Sequence, residues 1–380
     1  MNLEFDPERQ QKAKEYARKR YLLFALDLAQ GALILALFLF GGLSTWLKEV
    51  LESFAPRREV LIALYFLAFY AFYWLAGLPL AWYGGFVLQH RYGLSTQSLK
   101  SWFSDQLKAS ALAVVLGVIA TELLYLLLAK SPDLWWLWAW VAFTFFSVIL
   151  TNLFPVLILP LFIPFRPLED EDLKSRLMRL AERAGTKVRG IFTLELSAKT
   201  TAGNAALVGW GNTRRILLGD TLLKEYSPDE IETILAHELA HHIHRDIAWG
   251  IAFQSFLNLF IFWATGQIFP TLVRLMGYEG VEDLAAFPLL AGTMGVLLFL
   301  STPITAAYSR WRESLADDYS LKATQNPEAF ASAMVKLADQ NLAEAFPPRW
   351  AEILFYSHPP IGKRVLKAKK WTKEENCASR

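Results

Sequence analysis

SPDEIETILAHELAHHIHRD (227–246) passes without a break into IAWGIAFQSFLNLFIFWATGQIF (247–269). The first block opens with helix-start chemistry: Ser227 can cap, Pro228 suits the first turn, and Glu230 can reach back to close a capping box. The second block carries no charged residue and is long enough to cross the hydrocarbon of a bilayer. A polar helix holding four of the chain's six histidines therefore runs straight into a membrane span. That junction decides the fold: a multi-pass α-helical membrane protein carrying a folded polar unit.

Composition agrees. Of 380 residues 54% are hydrophobic, with 14 Trp and 27 Phe, a bias that suits bilayers and their interfaces. A net charge of +2 and the lack of a long basic run argue against a nucleic-acid partner. One cysteine, Cys377, excludes an internal disulfide framework. Apolar stretches of spanning length lie near 21–43, 58–88, 107–129, 134–165, 246–275 and 284–309. The count is six, or seven if the second or fourth stretch folds back. Pro155 and Pro160 predict that the fourth kinks, tilts or runs on past the membrane. The charged lead-in 1–20 reads as cytoplasmic and not as a secretory signal. Six spans then put 89–106, 166–245 and 310–380 on the same, cytoplasmic side, and all three carry Lys or Arg. The 276–283 loop, outside, has acids only, whereas 44–57, also outside, carries Lys48 and Arg57 against the trend. Asp27, Glu122, Asn152, Gln254 and Asn258 fall within spans, and the cost of polar groups in lipid predicts that they face the bundle interior or a wet cavity.

Between spans four and five the composition changes. PLEDEDLKSRLMRLAERAG (167–185) predicts an amphipathic helix stopped by Gly185. RGIFTLEL, a polar link SAKTTAGN and AALVGWGNTRRILLGDTLL follow as strands, with a hairpin at Gly211-Asn212. On the next helix His237 and His241 are four apart and share a face, with Glu238 beside them. This HExxH spacing suits one zinc ion held by two neutral imidazoles, with a carboxylate over the bound water. A third protein ligand is required. His244 lies roughly 10 Å along the helix from His237, too far for one ion. His242 points away, and His90 reads as an interface residue. The candidate is Glu313 in SRWRESLADDYSLKAT (309–324), two spans later and so on the same side. Asp317, four residues on, can hold a ligand histidine's other nitrogen.

HELAHH, two spans, ESLAD and then YSHPP (356–360) resemble the CAAX prenyl protease type 1 family of integral-membrane zinc metalloendopeptidases. TNLFPVLILPLFIPFRPL (151–168), GNAALVGW and RRILLGDTLL share the resemblance, which extends over most of residues 90–370. It implies a helical bundle enclosing a water-filled chamber, with a thermolysin-like α+β zinc metalloprotease domain facing it; members of the family usually show seven spans where six are counted here, so six or seven are expected. Carried over, His237, His241 and Glu313 bind one zinc per chain, Glu238 is the general base, and His358 lies near the oxyanion. Arg364 lies by the same site, and Asn204 sits on the edge strand that pairs with substrate. The chain divides into membrane helices (1–165), a cytoplasmic catalytic segment (166–245), two further spans (246–309) and a C-terminal catalytic segment (310–380). A peptide or membrane-protein substrate, the lipid bilayer and a monomeric state are expected, in a cell or endoplasmic reticulum membrane. A quality-control protease of the heat-shock membrane type has the same chemistry, but four spans before HExxH favour the CAAX type. A ligand-sensing protease wants larger external loops, and a vestigial scaffold has no reason to keep Glu238. The terminal Cys-Ala-Ser-Arg has no aliphatic pair and reads as a coincidental tail, not a lipidation box.

Overall fold

The structure, a computed structural model, describes residues 5–186, 188–209 and 214–378, with side chains to 372. Helix α1 (Pro7–Phe40) starts where Asp6 accepts from the Glu8 and Arg9 N–H groups and Pro7 sets the first turn. Gly42, at φ +71°, turns the chain into the short α2 (Leu43–Glu52). Helix α3 (Arg58–Trp82) continues through a π turn into α4 (Leu88–Arg91). Next come α5 (Leu99–Lys130) and α6 (Trp135–Leu153), the latter joined by a π turn to α7 (Leu159–Phe162). That turn begins at Phe154 and contains Pro155, which has no N–H to give the helix ladder. The expected irregularity of the fourth span is this turn.

Strand β1 (Phe165–Pro167), α8 (Glu171–Arg183), β2 (Ile191–Leu194), β3 (Ala205–Val208) and β4 (Arg215–Gly219) follow, then α9 (Asp220–Glu225) and α10 (Pro228–Ile243). The remaining elements are α11 (Asp246–Leu275), α12 (Phe287–Thr324), α13 (Pro327–Gln340), α14 (Arg349–Phe355) and α15 (Ile361–Ala378). Six described helices are long and apolar enough to cross a membrane, at 7–40, 58–91, 99–130, 135–162, 246–275 and 284–324. The sixth runs unbroken from the span through the segment 309–324, so Glu313 is carried on the membrane helix itself.

The sheet has order β1-β2-β4-β3, with β2 parallel to β4 and the other pairs antiparallel. Two readings change here. Residues 165–167, assigned to the end of a span and the start of a helix, form an edge strand instead. The strand expected over RRILLGDTLL stops at Gly219, where Asp220 turns to accept from the Ser197 N–H and begins α9. The hairpin turn at Gly211-Asn212 lies outside the described residues, and the strands on either side of it do pair. Gly185 ends α8 as expected, at φ +65°. Helix α8 buries Leu173, Leu177 and Leu180 against Ile216, Leu218, Leu235 and Phe330, and each fully buried leucine contributes about 1.5–3 kcal/mol.

Of the polar residues in spans, Gln254 and Asn258 line a cavity of about 360 Å³ between α6 and α11, and Gln254 donates to Asn258. Asn152 is exposed and donates from Nδ2 to Val148 O on its own helix. The start of α1 docks on the C-terminal segment. Gln10 Nε2 donates to Ala343 O, Gln10 Oε1 accepts from the Ala345 N–H, and Tyr21 stacks on Phe355.

Candidate active site

The site forms where α10 crosses α12. Ala236, Ala240, Ala316 and Ser320 are all fully buried at this crossing, and Ser320 Oγ donates to Thr233 O. Small side chains on both helices let the backbones approach closely. The crossing brings the His237 and His241 face against the Glu313 and Asp317 face. Helix α10 is held at its start by the expected capping box: Ser227 and Glu230 exchange bonds, and Glu230 also accepts from Ser332 and Lys336.

His237 Nε2 lies 3.0 Å from Glu313 Oε2, and His241 Nε2 lies 3.5 Å from Glu313 Oε1. One ligand atom from each of His237, His241 and Glu313 falls within 4.8 Å of the others. Around one ion with bonds near 2.0–2.1 Å, tetrahedral ligand atoms stand about 3.3 Å apart, so this donor set fits a single divalent cation. Each imidazole is oriented from behind. Asp317, only 1% exposed, is 3.0 Å from His237 Nδ1, and Arg364 Nε and Nη2 bond to Asp317. His241 Nδ1 pairs with Asp246 Oδ2 at 2.7 Å, and Asp246 pairs with Arg312.

Electrostatics follow from this packing. Burial disfavours a charged His237, but hydrogen bonds to Asp317 and Glu313 outweigh it and raise its pKa to about 9. Burial raises the Glu238 pKa, opposed by the two histidines and the Leu207 backbone N–H. That contact puts Glu238 against β3, the edge strand. Burial works against the charge of Arg364, and Asp317, Glu313 and Glu238 more than restore it.

His358 reaches the same place from the loop before α15, with Nε2 at 3.4 Å from Glu313 Oε1 and Nδ1 at 2.9 Å from Ser357 Oγ. Arg364, expected to bind substrate, is buried and directs Nε and Nη2 at Asp317 and His237 Nδ1. Asn204 is exposed and sits one residue before β3, not on it, and its carbonyl accepts from the Gly219 N–H. His244 caps the end of α10 beside Tyr319, and His90 bonds to Phe86 O on its own helix. Sequence reasoning missed Asp246 and Arg312. An aspartate five residues after the second histidine is the signal that was present, but it acts only because Arg245, at φ +54°, bends the chain back.

An HExxH helix and an incoming carboxylate, set at one end of a six-span bundle, define an integral-membrane metallopeptidase. Residues 1–163 match the family described as CAAX prenyl protease N-terminal, five membrane helices, and residues 167–372 match peptidase family M48. The metalloprotease YhfN of Bacillus subtilis is 31% identical over 96% of this chain and 86% of its own. CAAX prenyl protease 1 of Saccharomyces cerevisiae is 28% identical, over 95% of this chain and 86% of its own. The crystal structure of Ste24p from S. mikatae superposes with a TM-score of 0.86 at 24% identity, covering 96% of this chain and 89% of that one. The chain belongs to peptidase family M48, in its CAAX prenyl protease branch, and is a membrane-embedded hydrolase of peptide bonds.

Proposed function

We propose that this chain is a zinc endopeptidase of the CAAX prenyl protease kind, acting on the cytoplasmic side of a cell or endoplasmic reticulum membrane as a monomer. Its substrates are then C-terminal segments of prenylated or other membrane-associated peptides. His237, His241 and Glu313 hold the ion, and the observation that carries the reading is their convergence beside Glu238 and an edge strand. A bound zinc ion supplies Lewis-acid polarisation of the scissile carbonyl and lowers the pKa of water. Glu238 takes the proton of the attacking water and returns it to the leaving amine, and its raised pKa brings it nearer the working pH for both transfers. His358, open to the cleft, donates from Nε2 to the oxygen that becomes negative. An extended peptide adds to β3 through main-chain bonds, entering past Asn204. Asp317 and Arg364 hold His237 in the tautomer that turns Nε2 toward Glu313. Sidedness rests on the basic lead-in, which packs beside the catalytic segment, and on the acidic loop 276–283 at the other end of the bundle.

Metal analysis of detergent-purified protein, paired with cleavage of a peptide panel, tests this. The expected result is about one zinc per chain and chelator-reversible cleavage that favours prenylated peptides over unmodified ones and over misfolded membrane proteins. Equal cleavage by the stripped protein overturns the metal chemistry, and indifference to the lipid overturns the substrate class.

A further inference from the structure

The two imidazoles are held by different machinery, and only one half of it was foreseeable from motif spacing. His237 is backed by Asp317 and Arg364, deep between α10, α12 and α15. His241 is backed at the opposite end of the site by Asp246 and Arg312, whose side chains are 12% and 14% exposed. Asp246 is the first residue of α11, and the chain reaches it through the left-handed turn at Arg245. A straight continuation of α10 would carry position 246 round the helix, away from the His241 ring. The bend folds Asp246 back so that Oδ2 accepts from Nδ1–H of His241 at 2.7 Å. Its other oxygen takes Arg312, one residue before Glu313 on α12. The same Arg312 Nη2 donates to His244 O at the end of α10. One guanidinium thus ties the end of α10, the start of α11 and the helix that carries Glu313.

We infer that Asp246 and Arg312 form a positioning pair for the metal centre. Asp246 keeps the His241 proton on Nδ1 and so leaves the Nε2 lone pair for the cation. Arg312 holds the carboxylate in place and registers it against α12. An ion pair serving only to join helices would not need its second oxygen on the imidazole. The inference rests on His241 being a ligand.

The test measures Zn²⁺ affinity of the full chain in detergent by competition with a chromophoric chelator, alongside the thermal midpoint of the stripped protein. Asp246→Ala should weaken Zn²⁺ binding about 10- to 100-fold, the range for losing such a partner. Asp246→Asn retains a carbonyl acceptor and should recover most of that loss. Arg312→Gln should fall between them, and combining it with Asp246→Ala should add little, since the pair acts as a unit. Asp318→Ala, on the outer face of α12 against Lys367, should bind as the parent does. Parental affinity in Asp246→Ala, with only the midpoint lowered, overturns the inference and leaves a structural ion pair. If Asp246→Ala does not fold, unchanged affinity in Arg312→Gln overturns it equally. His241→Ala separates the two levels. Loss of Zn²⁺ there with retention in both Asp246 variants sinks this inference alone, whereas retention in His241→Ala sinks the ligand reading beneath it.

Discussion

In the proposed reaction Glu238 is the base, because the other carboxylates at the site are committed: Glu313 to both histidines, Asp317 to His237 and Arg364, Asp246 to His241 and Arg312. Glu238→Gln keeps the size and removes the base. It should retain about one metal ion per chain and lose about 100- to 10,000-fold in turnover, read by metal analysis and peptide cleavage on one preparation. His237 gives a second outcome. Its pKa in the stripped protein is about 9, so at neutral pH it holds a proton that an incoming ion displaces. Metal uptake at pH 7 should release about one proton, seen as a dependence of calorimetric heat on the buffer's ionisation enthalpy. A raised histidine pKa contributes stability to the stripped protein that is full below about 6.5 and lost as pH rises through about 9. The loaded protein should show the reverse trend, with acid weakening its hold on the ion. At this scale HExxH was readable from helical spacing, whereas Glu313 and Asp317 needed, besides their spacing, the count of two spans that puts them on the same side as the histidines. Asp246 was not readable, because its place depends on one left-handed residue, and the depth of Arg364 depends on how α15 packs.

Among the elements, long apolar helices and the capped α10 were readable, since period, length and cap chemistry are local. The short pieces were not. β1 has three residues and gains its identity only by pairing with β2, and Asp220–Glu225 forms a helix because Asp220 binds the Ser197 backbone. The crossing of α10 and α12 was likewise invisible, because it joins α10 to the far end of a helix that begins only after the α11 span. Its small residues give a prediction. Ala316→Leu inserts a large side chain where the native one is fully buried between helices. Overpacking of this kind costs about 1–3 kcal/mol. Because the same crossing sets the distance from Glu313 to the histidines, metal content should fall with the thermal midpoint. A variant that loses stability and keeps full metal affinity would show that α12 can shift without moving Glu313.

For the whole molecule, the charge that broke the sidedness trend is explained by its partners. Lys48 on α2 lies 3.0 Å from Asp283 and 3.4 Å from Glu279, and Arg58 donates to Glu282 O. Lys48, one of the two basic residues of 44–57, is thus paired with the acidic loop 276–283, while Ser44 Oγ, fully buried, bonds Tyr65 and Ala285 O to close that end. The opposite end gathers the start of α1 and the catalytic segment, as four intervening spans require. An even number of crossings therefore has a direct consequence. With Cys377→Ser removing the chain's own thiol, cysteines introduced singly at Glu282 and Glu182, both exposed, report opposite faces of the membrane. In right-side-out vesicles a membrane-impermeant maleimide should label the cysteine at 282 and reach the one at 182 only after detergent is added. Labelling of both without detergent would mean an even count between them, so that α11, the one candidate span between 182 and 282, would not cross as a single span. Labelling of 182 alone would keep the six spans and turn the catalytic end outward, against the lysine and arginine distribution of the lead-in.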